Sequence, residues 1–244
     1  MITRFAPTPS GYLHVGNAAH LVLLAELAED FDWQIALRID DIDPDRTRPE
    51  YVDDILGLIE WLDIPITGDT RWQSRHRADY VAARDALMDR GAYVCACSRT
   101  QWADHQGPGC PSGCTGLELI EGHTTLRMRL TDTDDIVIWR REGLPAYHLA
   151  SVVDDDAMGV THIVRGADLH EATRVQRILA EHLPESTFGA VEAIHHRLIE
   201  DPAGVKLSKS AGVRAEPLPR TVETRAQIEQ SVRILKEGLT TVRP

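Results

Sequence analysis

The sequence of 244 residues has no apolar run near the roughly 18–20 residues that a membrane-spanning helix needs. It is also short of positive charge, because 26 Lys and Arg stand against 38 Asp and Glu, which gives a formal net charge of −12. That deficit argues against indiscriminate nucleic-acid binding, which depends on neutralising phosphates. Residues 1–5 enter a predicted strand directly, so we expect no signal peptide and a cytoplasmic, membrane-independent protein.

Cysteine is scarce, and its four occurrences all lie in one short segment, as Cys95-x-Cys97 and Cys110-x3-Cys114. Disulfides are rare in cytosolic proteins, so clustered thiols favour a metal, and four thiolates form a closed tetrahedral zinc site. The loop at 107–113 is too rich in glycine and proline to fold by packing, which also favours a metal. We therefore predict structural Zn²⁺, with reduced buried thiols as the alternative.

The order of elements predicts an α/β fold with a doubly wound parallel sheet, because strand and helix patterns alternate over 1–65 and again over 145–200. The expected parts are a first half of a Rossmann-like domain (1–92), a zinc-binding insertion (93–134), a second half (135–205), and a lysine loop with a short basic tail (206–244). Strands are predicted at 2–6, 35–39, 93–97, 125–130, 136–139 and 195–199. Helices are predicted at 15–29 and about 78–90, with another opened by a capping box at 47–50.

Two short motifs lie near opposite ends of the chain, one with histidine and glycine and the other with lysine and serine. His14, Gly16 and Asn17 open the first predicted helix, whose unpaired amides and positive dipole end attract phosphate. Lys206, Ser208 and Lys209 lie on a polar loop suited to closing over a triphosphate. Each motif alone fits an ordinary capped helix or solvated loop, whereas together they predict a nucleotide site.

The pair resembles the HIGH and KMSKS signatures of class I aminoacyl-tRNA synthetases, and the run from Arg4 to Leu13 resembles the glutamyl branch. The resemblance implies ATP with Mg²⁺ as the activating cosubstrate, bound by His14, Gly16, Asn17, Lys206, Ser208 and Lys209. It implies His14, Lys206 and Lys209 as the catalytic residues, acting on the negative charge that develops at the α-phosphate.

The same resemblance implies an amino-acid site formed by Arg4, Ala6, Thr8, Asp40, Tyr147 and Arg165. Guanidinium groups suit a carboxylate substrate, glutamate first. Asp40 stands where the family has glutamate, and Thr8 stands where it has serine, so either glutamate or a different amino acid is compatible. In the competing interpretation, Asp40, Asp41 and Asp43 form a solvated cluster at a strand end, and Arg4 pairs with one of them.

The number of residues after the lysine motif indicates which member of the glutamyl branch this chain resembles. Only 34 residues follow Ser210, fewer than an anticodon-binding domain needs. This resembles the truncated glutamyl-queuosine tRNA(Asp) synthetases, which also carry a zinc knuckle near residue 95. The expected function is tRNA-independent formation of glutamyl-adenylate, followed by transfer to queuosine in tRNA(Asp), by a monomer. The alternatives are a tRNA-independent ligase acting on a small molecule or protein, and a non-catalytic RNA-binding relic.

Overall fold

The computed structural model describes residues 1–105, 107, 109–131, 135–198 and 216–242. The chain forms two compact units, each assembled from more than one stretch of sequence. The first contains Met1–Arg75, Met158–Glu171 and Ala190–Pro244, and the second contains His76–Ala157 and Ala172–Gly189. Within the described residues, no helix is both long and apolar enough to cross a membrane.

Strands and helices alternate over much of the chain, and three short 3₁₀ turns accompany them. In chain order the elements are β1 (Ile2–Phe5), α1 (Val15–Phe31), β2 (Gln34–Ile39), α2 (Pro49–Trp61), β3 (Arg71–Trp72), α3 (Arg77–Met88), β4 (Tyr93–Cys95), α4 (Arg99–Ala103), β5 (Thr125–Arg129), β6 (Asp135–Trp139), α5 (Tyr147–Ala157), β7 (His162–Gly166), α6 (His170–Glu181), β8 (Glu192–His196), α7 (Val222–Lys236) and β9 (Thr240–Val242).

The first unit is built on parallel strands. β1 pairs with β2 and β2 pairs with β3, while β7 pairs with β8; all three pairings are parallel. Strand β9 adds to β8 in the antiparallel direction. The amide of Thr161, just before β7, donates to the Ile2 carbonyl at 2.9 Å, which holds β7 beside β1. The predicted α/β fold with parallel strands is confirmed.

Helix α1 forms the centre of the apolar core of the first unit. Its apolar residues recur at helical spacing: Ala18, Leu21 and Ala28 are buried, and Val22 and Ala25 are partly buried. The polar segment near the end of the chain supplies α7, which packs against α1 through the buried residues Ile228, Val232 and Leu235. These three apolar residues, spaced at three or four positions in an otherwise polar segment, are therefore enough to form a helix that packs on the core.

The entry to α2 differs from the prediction of a capping box at 47–50. The Thr47 hydroxyl donates to the Asp43 carbonyl at 3.0 Å, and the residue at the cap position is Arg48, whose side chain makes no capping hydrogen bond. Pro49 occupies the first helical position, where its missing N–H costs nothing. Ile55, Leu58 and Ile59 of this helix are buried, as is Leu62 directly after it.

The strand expected at 195–199 begins earlier. Strand β8 covers Glu192–His196, because its parallel ladder with β7 starts at the pair His162–Glu192. The prediction was wrong at the start of this strand, since pairing with a neighbour and not local hydrophobicity sets its register. Ile199 lies outside the described residues.

The second unit contains an antiparallel sheet in which β5 lies between β4 and β6. A register shift at Leu126 and Arg127 marks a bulge in the central strand. Helices α3 and α5 pack together and are joined by the Tyr80 hydroxyl, which donates to the Asp154 carboxylate at 2.8 Å. The predicted short strands are present, and the sheet runs to Trp139, past residue 134.

Candidate active site and candidate metal centre

His14 stands immediately before α1 and caps it. Its Nδ1 accepts a hydrogen bond from the Gly16 amide at 3.0 Å, while the Asn17 side-chain oxygen accepts one from the His14 amide at 3.1 Å. Because Nδ1 is an acceptor, the neutral imidazole carries its proton on Nε2, which makes that nitrogen the donor. The local sequence thus fixes one orientation of the ring at the positive end of the helix dipole.

The predicted amino-acid ligands of the first unit lie toward the carboxyl ends of its parallel strands. Arg4 is in β1 and Arg165 is in β7, and both side chains are buried. Asp40 directly follows β2, and its amide donates to the Pro7 carbonyl at 3.0 Å, which ties this strand end to the loop containing Thr8. In open α/β sheets, ligands bind at this edge.

Arg38 is a residue that the sequence interpretation missed. It is 1% exposed, and its guanidinium donates two hydrogen bonds to the Asp40 carboxylate, Nε to Oδ1 at 2.6 Å and Nη2 to Oδ2 at 3.3 Å. Asp41 accepts bonds from the amide and hydroxyl of Ser74 at 2.9 and 2.6 Å. Both carboxylates therefore have partners within the protein, and the competing interpretation, a strand-end cluster in which Arg4 pairs with one member, remains the alternative to a substrate site. The spacing i, i+2 at a strand end was the available signal.

Two histidines, the half-buried His20 and the buried His196, were also missed and connect α1 to β8. The Nδ1 of His20 lies 3.0 Å from Nε2 of His196, and Nδ1 of His196 lies 2.8 Å from the Arg197 carbonyl. The carbonyl requires a donor, so His196 carries its proton on Nδ1 and accepts from His20 through Nε2. Burial, with smaller effects from His196 and Arg4, lowers the pKa of His20 from 6.5 to about 3. Burial also lowers the pKa of His196.

This pair predicts that the first unit loses stability in mild acid. The folded His20 resists protonation, so between pH 6.5 and about 3 the unfolded chain binds more protons and stability falls as pH falls. One such group contributes a slope of about 1.4 kcal/mol per pH unit. Urea unfolding from pH 7.5 to 4.5 should therefore give a shallower slope for His20→Asn than for the natural sequence. Equal slopes would contradict the prediction.

The four cysteines converge on one point in the second unit. Sγ of Cys110 lies 3.6 Å from that of Cys95 and 3.5 Å from that of Cys97, and the Sγ atoms of Cys97 and Cys114 are 3.8 Å apart. All four sulfur atoms lie within 4.8 Å of one another, and none is in a disulfide. A tetrahedral ion with bonds of about 2.3 Å requires sulfur separations of about 3.8 Å. The cluster fits such an ion.

Backbone groups around the cluster support the thiolates and the loops that carry them. The amide of Cys97 donates to Sγ of Cys95, and the amide of Cys114 donates to Sγ of Cys110, both at 3.4 Å. The Arg141 guanidinium binds the carbonyls of Ala96 and Cys97 at 3.3 and 3.2 Å. Burial raises the pKa of Cys95 to about 12. Burial also raises that of Cys110, but nearby amides and thiols outweigh it and lower the pKa to about 7.

The remaining predicted ligands lie in the second unit or outside the described residues. Tyr147 begins α5 in the second unit, where its side chain is 47% exposed and its ring lies 5.4 Å from that of His148. Lys206, Ser208 and Lys209 lie outside the described residues.

The sequence matches the catalytic domain of the class I tRNA synthetases for E and Q over residues 1–110 and 117–216. The chain belongs to this family. The match spans both the His14 motif and the lysine motif, whereas Cys114 lies in its gap. The fourth sulfur of the cysteine cluster thus lies outside the matched residues.

Relatives within this family fall into two length classes. The chain is 35% identical to the glutamyl-Q tRNA(Asp) synthetase of Rhodobacter capsulatus, covering 88% of this chain and 93% of that protein. It is 38% identical to that of Ectopseudomonas mendocina, covering 89% and 79%. The glutamate–tRNA ligase of Oleidesulfovibrio alaskensis is 36% identical over 88% of this chain, and the chain spans only 52% of its length.

Solved structures of the family share the fold. Glutamate-tRNA synthetase from Elizabethkingia anophelis superposes with a TM-score of 0.71 at 22% identity, covering 87% of this chain and 53% of that one. The α/β architecture with parallel strands is therefore that of the class I synthetase catalytic domain.

Proposed function

We propose that this chain activates glutamate with ATP and transfers the glutamyl group to queuosine in tRNA(Asp). The observation that carries the proposal is the likeness to glutamyl-Q tRNA(Asp) synthetases over most of their length, 93% of one and 79% of another. Longer glutamate–tRNA ligases are matched over about half their length. We place the reaction in the cytoplasm, where ATP and tRNA are both present.

In the first step, an oxygen of the glutamate α-carboxylate attacks the α-phosphorus of ATP. The bond to the bridging oxygen breaks, pyrophosphate leaves, and glutamyl-adenylate forms. We assign His14, Gly16 and Asn17 to the phosphates, with the Nε2 proton of His14 as a donor to the charge that develops there. Lys206, Ser208 and Lys209 complete this site from the second motif.

The amino acid is assigned to Arg4, Ala6, Thr8, Asp40, Tyr147 and Arg165. The two buried arginines offer charged forks for the substrate carboxylates, and the Asp40 carboxylate is offered to the ammonium group. Arg38 holds that carboxylate in place through its two bonds. In the second step, a queuosine hydroxyl attacks the activated carbonyl carbon and loses its proton, and AMP leaves.

Two metal ions have separate roles in this proposal. We assign Zn²⁺ to Cys95, Cys97, Cys110 and Cys114, where it would join the loops of the segment 93–134. A site with four thiolates has no open position for substrate, so its role is structural. Mg²⁺ would enter with ATP and neutralise charge on the phosphates.

Pyrophosphate exchange without tRNA tests the activation step. The purified protein should exchange labelled pyrophosphate into ATP only with Mg²⁺ and glutamate. Lys209→Ala should lower the rate about 10²-fold, because it removes one donor to the transition state. The matched control Lys236→Ala removes an exposed lysine that binds Glu26 on α1 and should leave the rate unchanged. No exchange by folded protein with any amino acid would contradict the proposal.

The acceptor is tested separately. Labelled glutamate should enter tRNA(Asp) that carries queuosine, and it should not enter the same tRNA made without it. Activation followed by transfer to a small molecule or protein alone would support the tRNA-independent ligase instead.

A further inference from the structure

Asp54 is a buried carboxylate that lies far in sequence from the groups it binds. Its side chain, on α2, is 2% exposed. Oδ2 accepts the backbone amide of Leu13 at 3.0 Å, and Oδ1 accepts Nη2 of Arg220 at 2.7 Å. Leu13 is fully buried and immediately precedes His14, the cap of α1. One carboxylate therefore joins the Leu13–His14 turn, the backbone that leads into α1, to the segment at Arg220, more than two hundred residues further along the chain.

The Arg220 guanidinium is fixed by several contacts besides this ion pair. Nη1 donates to the Leu218 carbonyl at 3.0 Å, and Nη2 also donates to the Asp54 carbonyl at 3.1 Å. The group lies 5.7 Å from the centre of the Trp61 ring. Arg225 lies 4.9 Å from the same ring and donates to the Trp61 carbonyl at 2.7 Å. The segment that carries Arg220 is thus held against the C-terminal end of α2.

A carboxylate at this position has opposing effects on a phosphate site. Its hydrogen bond to Leu13 restrains the backbone that orients His14, which favours a precise arrangement of donors. Its charge, left unpaired, would repel the triphosphate that His14 is assigned to bind, because charges interact strongly where water is excluded. Arg220 cancels that charge and leaves the hydrogen bond intact.

We propose that Asp54 and Arg220 are positioning residues for the activation reaction. Asp54 sets the Leu13–His14 turn at the start of α1, and Arg220 neutralises Asp54 so that this turn accepts ATP. The inference rests on the proposed function, since its readout is the formation of adenylate.

Charge rescue separates this role from simple packing. Arg220→Met exposes the turn to an unpaired carboxylate, and we expect the KM for ATP to rise roughly tenfold while the KM for glutamate changes little. Asp54→Asn in the same chain removes the charge but keeps an oxygen for the Leu13 amide. The double variant should therefore return the KM for ATP close to its natural value, although the arginine is still missing.

A second comparison isolates the hydrogen bond to Leu13. Asp54→Ala combined with Arg220→Met lacks both charges and the acceptor, whereas Asp54→Asn combined with Arg220→Met lacks only the charges. We expect kcat for pyrophosphate exchange to be about tenfold lower in the alanine pair, because small displacements of reacting groups are costly. Hydrogen exchange at the Leu13 amide should be faster in the same pair.

Lys236→Met serves as the matched control. It breaks the 2.6 Å ion pair between Lys236 on α7 and Glu26 on α1, which also joins the C-terminal segment to α1 but is exposed to solvent. It should change neither KM nor kcat. If the natural protein is active and Asp54→Asn fails to rescue Arg220→Met, or all variants match the control, the positioning role is refuted. A natural protein without any exchange activity would refute the proposed function and this role with it.

Discussion

Replacing Cys97 with alanine is expected to abolish metal binding and to unfold the cysteine loops while the first unit stays folded. Sγ of Cys97 lies 3.5 and 3.8 Å from those of Cys110 and Cys114, and the residue is 7% exposed. Structural zinc contributes about 10–16 kcal/mol of apparent binding free energy in small domains, which becomes folding free energy. No other cysteine remains to replace the lost ligand.

The measurement pairs metal analysis with hydrogen exchange. The natural protein should contain close to one zinc per chain, and Cys97→Ala should contain almost none. Exchange should rise over residues 93–129 far more than in β1 and α1. Ser98→Ala is the matched control, because it removes the cap of α4 beside Cys97 without touching a thiol and costs about 1 kcal/mol. Absence of metal from protein purified without chelator, or a disulfide among these thiols, would contradict the assignment.

The sequence predicts elements whose signals are local. Helix α1 is predictable because its apolar residues recur at helical spacing and its cap residues precede them directly. The cap of α2 was predicted wrongly because Arg48, and not Thr47, is the residue that precedes the first helical turn, while the Thr47 hydroxyl donates back to the Asp43 carbonyl. Strand β8 contains two buried histidines, His195 and His196, so hydropathy does not reveal its true start. Its bounds come from pairing with β7, which is not a local property.

The same distinction applies to the functional groups. The cysteine cluster could be predicted because it uses every cysteine in the chain, whereas the pairing of Arg38 with Asp40 was missed although their i, i+2 spacing at a strand end was a local signal for it. By contrast, Asp54 and Arg220 are 166 residues apart, and His20 and His196 are 176 apart. Single aspartates, arginines and histidines are common on helices and loops. Only the tertiary fold shows which of them meet.

Loss of Arg38 is expected to damage both stability and amino-acid binding. Arg38→Met leaves the Asp40 carboxylate, whose side chain is 12% exposed, without the two bonds that hold it. Removing one partner of a buried ion pair typically costs 3–5 kcal/mol, and we expect a loss of about 3 kcal/mol because Asp40 keeps some contact with water. Arg84→Met is the matched control, since it breaks the 2.7 Å pair with the exposed Asp85 and should cost at most about 1 kcal/mol.

Activity distinguishes a supporting role from a purely structural one. If Arg38 orients Asp40 toward the substrate ammonium group, Arg38→Met should raise the KM for glutamate at least tenfold in the folded protein and leave the KM for ATP nearly unchanged. Asp40→Asn added to Arg38→Met removes the charge that Arg38 helps to balance, so it should restore part of the unfolding free energy without restoring glutamate binding. Stability and glutamate binding that recover together would show that Asp40 acts only through the fold. An Arg38→Met protein as stable as the Arg84→Met control would refute the ion pair as a significant contributor.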